Sequence, residues 1–373
     1  MEPATRLRDL LVVFGTLGIV GFGGPAAHIA LMRREVVERR QWLNDAQLLD
    51  LVGITNLIPG PNSTELAMLV GRMRAGGMGL VVAGLSFIIP AAGVVLALAW
   101  AYMTYGTTPT GAALLYGIKP VIIAIVAAAL VAFARTSLTG PLRVGLAAAV
   151  AMLWVLGVNE LVLLAAGALI VAAARGGTRY PWVALGIVLP ATAAASVNLL
   201  TLAGVFLKAG ALLYGSGYVL LAFLRGDLVQ RLGWLTDAQL LDAVAIGQVT
   251  PGPLFTTATF IGYVLAGVPG AVVATIAIFL PAFIFVALIG PIADRLRRRP
   301  LTAALLDGVN AAAIGLMAAV SVALGAEAIH DPLTIVLALG AGAALIWARV
   351  PSVVLVAVGG LAGVAAGAAG IGP

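Results

Sequence analysis

The sequence predicts an all-α polytopic membrane protein built from two inverted-topology repeats, each opening with broken, re-entrant half-helices and continuing with about four transmembrane helices. Three observations lead there. Of 373 residues, 62% are hydrophobic and only 10% charged, with a mean hydropathy of +1.12, well outside the range of soluble domains. Apolar runs of spanning length recur from end to end. Two strings, NLIPGPNSTE at 56–65 and QVTPGPLFTT at 248–257, each interrupt such a run with Pro-Gly-Pro, and Pro59 and Pro251 lie 192 positions apart (251 − 59).

Helices rather than an outer-membrane barrel follow from the balance of small and aromatic residues. The 46 glycines suit close helix packing, and a 6% aromatic share is too small for the girdles of a barrel. With no cysteine, thiol nucleophiles, disulfides and thiolate metal sites are excluded. The net charge of +6 rests almost wholly on arginine and reads as positive-inside topology, not nucleic-acid binding. The first apolar run, 10–32, lacks a small-residue cleavage site and is expected to be retained.

In chain order, the runs at 10–32 and 46–73 are each broken centrally by Gly or Pro and read as paired half-helices. Four spans follow at 78–103, 112–134, 141–158 and 161–174. A short run at 182–198, containing Pro190, reads as a connecting transmembrane helix. Broken runs then recur at 199–224 and 238–266, followed by spans at 268–292, 301–324, 332–348 and 352–369. The implied division is a first repeat over 1–180, a connector over 181–198 and a second repeat over 199–373.

The duplication is visible in the letters. WLNDAQLLD from Trp42 matches WLTDAQLLD from Trp234, Gly23 in GFGGP faces Gly215 in YGSGY at the same offset, and Pro90 faces Pro281 at one residue less. Arginine placement argues that the copies are inverted. The loop at 294–300 carries Arg295, Arg297, Arg298 and Arg299, whereas its counterpart at 104–111 is uncharged and the next basic loops of the first half hold Arg135, Arg143, Arg175 and Arg179.

The breaks are where chemistry is expected. No backbone amide is left unsatisfied in hydrocarbon, so a proline pair inside an apolar run is tolerated only against protein or a water-filled cavity. Residues after each Pro59-Gly60-Pro61 or Pro251-Gly252-Pro253 triplet open a half-helix whose free N–H groups and positive dipole end suit an anion. Asn62, Ser63 and Thr64 on one side, and Thr256 and Thr257 on the other, would add side-chain donors or cap the helix. Phe22, Gly23 and Gly24 of GFGGP, echoed by Gly215, Ser216 and Gly217, offer similar amides, although glycine also serves close packing.

Ionisable residues within the apolar runs cost roughly 2.5–3.5 kcal/mol each on insertion scales, so each needs a partner or a task. Lys119 is the candidate cation for an anion, with Asp307 as its approximate counterpart; Asp50, Glu65, Asp242 and Asp307 are the candidate coupling carboxylates, an interfacial position or an ion pair being the plainer alternative. Asp45 and Asp237 read as N-caps of the DAQLLD helices, and RREVVERR as a solvated hairpin tip. His28 and His330 have no metal-site spacing, and no hydrolase or nucleotide-binding motif is present, so neither an enzyme nor a cofactor is expected.

Taken together, FGGP, WLNDAQLLD, NLIPGPNST, and then WLTDAQLLDAVAIGQVTPGPLFTTATFIGY followed by FLPAF resemble the chromate ion transporter family in its long two-domain form, over about residues 5–324. The resemblance implies a multi-pass protein of the cytoplasmic membrane that exports chromate, with sulfate as a related or competing anion, driven by the membrane potential or a proton gradient. It places family interest on Phe22, Gly23 and Gly24 and on both PGP triplets. Two departures, YGSG at 214–217 in place of FGG and GRMRAG at 71–76 where the second half has Gly262 and Tyr263, imply an asymmetric site. A sulfate or other tetrahedral oxyanion carrier or channel that admits chromate incidentally is the alternative. The oxyanion and the lipid bilayer are the partners expected, nucleic acid is not, and a homodimer is left open.

Overall fold

The computed structural model describes residues 3–175, 196–214, 217–289 and 299–371. The connecting helix expected at 182–198 falls almost wholly outside the described residues, as do Gly215, Ser216, Arg179 and most of the arginine loop at 294–300. No strand occurs among the described residues, and both repeats are helical throughout.

The first broken run folds as α1 (Pro3–Val20) and α2 (Gly24–Arg33), parted by a bend at 21–23. One wide helical turn (Arg34–Arg39) leads to α3 (Asp45–Thr55), the PGP loop and α4 (Asn62–Tyr105). Then come α5 (Pro109–Ser137), α6 (Pro141–Val155) and α7 (Glu160–Ala174). The second repeat retraces this order. It contains α8 (Leu199–Leu212), α9 (Leu220–Leu224), a wide turn (Arg225–Arg231), α10 (Asp237–Val249), a tight turn (Leu254–Thr256) and α11 (Thr257–Ile289), followed by α12 (Pro300–Ala328), α13 (Pro332–Ile346) and α14 (Ser352–Ala368).

The matched nonapeptides fold alike because they carry matched start signals. Asn44 caps α3 by accepting from the Gln47 amide while the Gln47 side chain accepts from the Asn44 amide, and Thr236 and Gln239 repeat this box on α10. The caps thus stand one residue before Asp45 and Asp237, where the sequence reading put them. Those aspartates instead take Arg33 Nε and Arg225 Nε, each at 2.7 Å, closing the wide turn in each repeat.

Both α4 and α11 are hairpins. A Cβ on Gly71 would stand 2.2 Å from the Gly79 carbonyl oxygen. Residues eight apart in a straight helix are separated by about 12 Å, so α4 folds back between them, at Ala75–Gly76. The same approach, Gly262 to the Gly270 carbonyl at 2.2 Å, accompanies the fold-back of α11 at Ala266–Gly267. Each limb that starts at a PGP loop therefore turns back beside the long apolar helix that follows it.

Helix packing divides the molecule into a centre and a bundle. In the centre α1 lies along α4, α8 lies along α11, and α4 meets α11. In the bundle α5 packs on α12, α13 and α14, while α12 packs on α5, α6 and α7, so each repeat's helices interleave with the other's. Tyr116 Oη donates to Asp331 at 2.7 Å across this bundle, and Asp307 pairs with Arg143 and, at 2.7 Å, with Arg175. Gly117 meets the Gly359 carbonyl and Gly308 the Gly167 carbonyl, so these two glycines are the equivalent positions of the repeats, and Asn310 rather than Asp307 is the counterpart of Lys119. Four stretches, α4, α5, Leu254–Leu288 and α12, are long and apolar enough to cross a membrane. At 15 to 17 residues, α6, α7, α13 and α14 are shorter than the roughly 20 that a full crossing takes.

Candidate functional site

The two PGP loops are tied crosswise. Gly60 N–H donates to the Leu213 carbonyl at 2.8 Å, and Gly252 N–H donates to the Gly21 carbonyl at 2.8 Å. Both donors and both acceptors are related by the repeat offset, so each glycine is fastened to the break of the other repeat's first run. Only glycine serves at either point: φ is 140° and 90°, and a Cβ would lie 2.5 Å from Glu65 Oε1 at Gly60 and 2.4 Å from Ala91 Cβ at Gly252. The flanking Pro59, Pro61, Pro251 and Pro253 are all buried, which removes four N–H groups from a region with few acceptors to offer.

This crossing brings two helix ends to one place. The first intrahelical bond after each loop is Thr64 N–H to Pro61 at 2.8 Å and Thr256 N–H to Pro253 at 2.9 Å. The residues just ahead of those bonds, Asn62 and Ser63 from α4 and Leu254 and Phe255 before α11, line a single small cavity with His28. A neighbouring cavity is lined by Gly23, Gly24, Tyr218, Gln248 and Gly252, and Pro25, Gly217 and Leu254 border both. At about 20 Å³ each they hold little more than one water, so a tetrahedral oxyanion enters only when the walls part.

The structure gathers some of the residues read from sequence and disperses others. Gly23, Gly24, Gly60, Pro61, Asn62, Ser63, Gly217 and Gly252 line the two cavities. Thr64 is buried beside them and its hydroxyl has no partner among the described residues. Thr256 and Thr257 turn their hydroxyls back to the Pro253 and Leu254 carbonyls, both at 2.8 Å, and so stiffen the turn. Phe22 is 41% exposed and lines neither cavity. Lys119 also stands outside them: its ammonium lies 3.3 Å from Asp242 Oδ1, and Tyr102 Oη donates to Oδ2 at 3.0 Å. That aspartate is buried on α10, so the lysine is spent on neutralising it. Asp50, the matching residue of α3, is exposed. Glu65 is fully buried below Gly60, and neither oxygen has a hydrogen-bond partner among the described residues.

Two contributors escaped the sequence reading. His28 was examined there only as a metal ligand, and no metal-ligating cluster occurs among the described residues. Its Nε2 instead donates at 2.8 Å to the Gly21 carbonyl, which also receives Gly252 N–H, so both lone pairs of that oxygen are used and the cross-tie is held from a third side. Gln248 lines the second cavity with a buried Nε2 that has no acceptor among the described residues, and it matches Asn56, whose Oδ1 takes Asn62 Nδ2 at 3.3 Å. A polar amide three residues before each PGP was the available signal.

A chemistry of anion binding suits this arrangement: free backbone donors, two positive dipole ends and few acceptors. Comparison with known proteins identifies the family. The family model described as chromate transporter matches the chain twice, over residues 8–172 and 200–364. Among curated relatives, the chain is 35% identical to the chromate transport protein of Cupriavidus metallidurans, covering 90% of this chain and 87% of that one. It is 33% identical to the probable chromate transport protein of Synechococcus elongatus (89% and 88% covered) and 32% identical to the chromate transport protein of Pseudomonas aeruginosa (97% and 93% covered). No solved structure matches. With both halves matched separately and three relatives covered nearly end to end, the chain belongs to the chromate transporter family.

Proposed function

We propose that this protein is a secondary transporter of the cytoplasmic membrane that exports chromate, holding the dianion between the N-terminal ends of α4 and α11. The carrying observation is the convergence of Asn62, Ser63, Leu254 and Phe255 on one cavity. One helix end contributes only about 0.3 to 2 kcal/mol to an anion, so two converging ends are the least that would hold a dianion against its hydration. His28 and the cross-tied glycines fix where those ends point. Inverted repeats would let one repeat rock against the other about this fixed point, exposing it to each side in turn. Sulfate has the same charge and tetrahedral shape, and backbone donors offer little to tell the two apart, so sulfate competes.

The test is uptake of labelled chromate and sulfate into inside-out vesicles, with pH and potential gradients imposed separately. Chromate is expected to accumulate against its gradient when the vesicle interior is positive, with unlabelled sulfate competing. Uptake that ignores both gradients and never concentrates substrate would overturn the coupled-carrier reading.

A further inference from the structure

Glu65 is the one acidic side chain that the cross-tied centre holds on a PGP arm. It sits in the first turn of α4, 0% exposed, with both carboxyl oxygens lacking a hydrogen-bond partner among the described residues. Its Oε1 is 2.5 Å from where a Cβ on Gly60 would stand, so the carboxyl rests on the bare α-carbon of the loop whose next residues, Asn62 and Ser63, line the cavity. At the matching position the other arm has Thr257, whose hydroxyl is bonded to Leu254.

Among the described residues the surroundings supply no countercharge. From the break after α8, the Tyr214 phenol is within electrostatic range of the carboxyl. From α2, His28 lines the same cavity, with Nε2 committed to Gly21. From α11, Ala282 is the neighbour at Gly60. Further along α4, Arg72 donates to the Val286 and Ala287 carbonyls, and Arg74 lies 3.9 Å from Asp9. Among the described residues this carboxyl has neither a cation nor a hydrogen-bond donor, and a charge left there uncompensated is costly.

An oxyanion held at the Asn62 and Ser63 amides would lie next to this carboxyl. Where the walls part to admit the anion, water reaches Glu65 and allows it to ionise; two like charges a few ångströms apart in a partly dry site then oppose each other. We propose that Glu65 is a proton-binding site whose protonation licenses the oxyanion: the carboxylate takes up one proton as the dianion binds and gives it back when the dianion leaves. The inference rests on the anion site proposed above. Proton and anion travel in the same direction, so a dianion carried with one proton moves a single negative charge, and export remains driven by an interior-negative potential.

The test uses the purified full-length chain in nanodiscs and labelled sulfate, which is a dianion throughout the range, with binding measured from pH 6 to pH 9. Wild type is expected to lose affinity by about tenfold per pH unit on the alkaline side, as one linked proton requires. Glu65→Gln, a permanent mimic of the neutral acid, is expected to bind with a Kd that no longer varies with pH and matches the acid limit of wild type. In weakly buffered solution at the alkaline end of this range, where the slope is one, sulfate added to wild type should raise the pH by about one proton per anion bound, a reading that does not depend on the variant folding. Saturable sulfate binding without proton uptake, or a Glu65→Gln variant that keeps the wild-type pH slope, would overturn the role of Glu65 and leave the anion site standing. Absence of saturable binding by wild type at every pH would overturn the site itself.

Discussion

The two hairpin tips are one design in two environments. In the first repeat Arg33 clasps Asp45 with side chains 47% and 58% exposed, and Arg39 reaches Glu35 within the wide turn. In the second repeat Arg225 clasps Asp237 at 15% and 25% exposure beneath Trp154, and Arg231 reaches Asp227. Lys208 joins this second tip, pairing with Asp227 and, at 2.9 Å, with Glu160 of α7, both of them buried. Its first-repeat counterpart is Thr16, whose hydroxyl only closes on the Val12 carbonyl. The difference comes from the bundle: α10 rests on α5, α12 and α14 and α9 on α12, whereas α3 packs chiefly on α4. Two nearly identical strings thus acquire different charges around them because one is covered by the bundle and the other is not. In a carrier of this kind, such inequality records which repeat the bundle leans on.

The largest expected effect breaks the covered tip. Lys208→Ala strands the buried Glu160 carboxylate and leaves Asp227 to Arg231 alone, and should cost about 3–5 kcal/mol, seen as lost folded yield and a lowered unfolding midpoint in detergent. Thr16→Ala should stay within about 0.5 kcal/mol. Equal costs would mean that the bundle does not shield the second tip.

Next come the cross-tied glycines, whose two clashes are not alike. Gly252→Ala drives a methyl into Ala91 Cβ, which cannot yield without moving α4, while Gly60→Ala meets the free end of the Glu65 side chain. Both pay roughly 1–2 kcal/mol for a positive φ. Gly252→Ala should abolish chromate transport in a resistance assay, and Gly60→Ala should leave a measurable residue. The reverse order would refute the cross-tied geometry.

The smallest effect concerns the bundle contact. Lys119→Ala leaves Asp242 to Tyr102 alone and should cost about 1–3 kcal/mol, with a double-mutant cycle against Asp242→Asn giving coupling of about 0.5–3 kcal/mol. Asp50→Asn at the matching, exposed position should change stability by less than about 0.5 kcal/mol. Coupling near zero between Lys119 and Asp242 would free the lysine for the anion role first read from the sequence.

That misplacement of Lys119 shows where sequence reading ends. Breaks and the duplication lie within strings of ten residues, and periodicity, Pro and Gly expose them directly, while the caps were read one residue late; the expected spans coincide with α5, α6, α7 and α12 to α14 within a few residues. Partners distant in sequence are written nowhere locally. Lys119 and Asp242 are joined only because α10 is laid against α5, and Gly60 meets Leu213 only because the repeats cross. Burial was equally illegible: Asp50 and Asp242 close the same DAQLLD string, one exposed and one buried. The polar residues ahead of each PGP, Asn56 and Gln248, were in plain view but differ in identity, so self-comparison by identical letters passed over them.

The crossed bonds from Gly60 to Leu213 and from Gly252 to Gly21 also bear on how such a molecule is made. Neither half can complete its own centre: the first, synthesised alone, would carry an amide at Gly60 that only another half can satisfy and a carbonyl at Gly21 held by His28 alone. The N-terminal half must therefore wait, incompletely closed, until the second has been threaded into the bilayer, and a gene cut between the repeats would yield two products that function only as a pair.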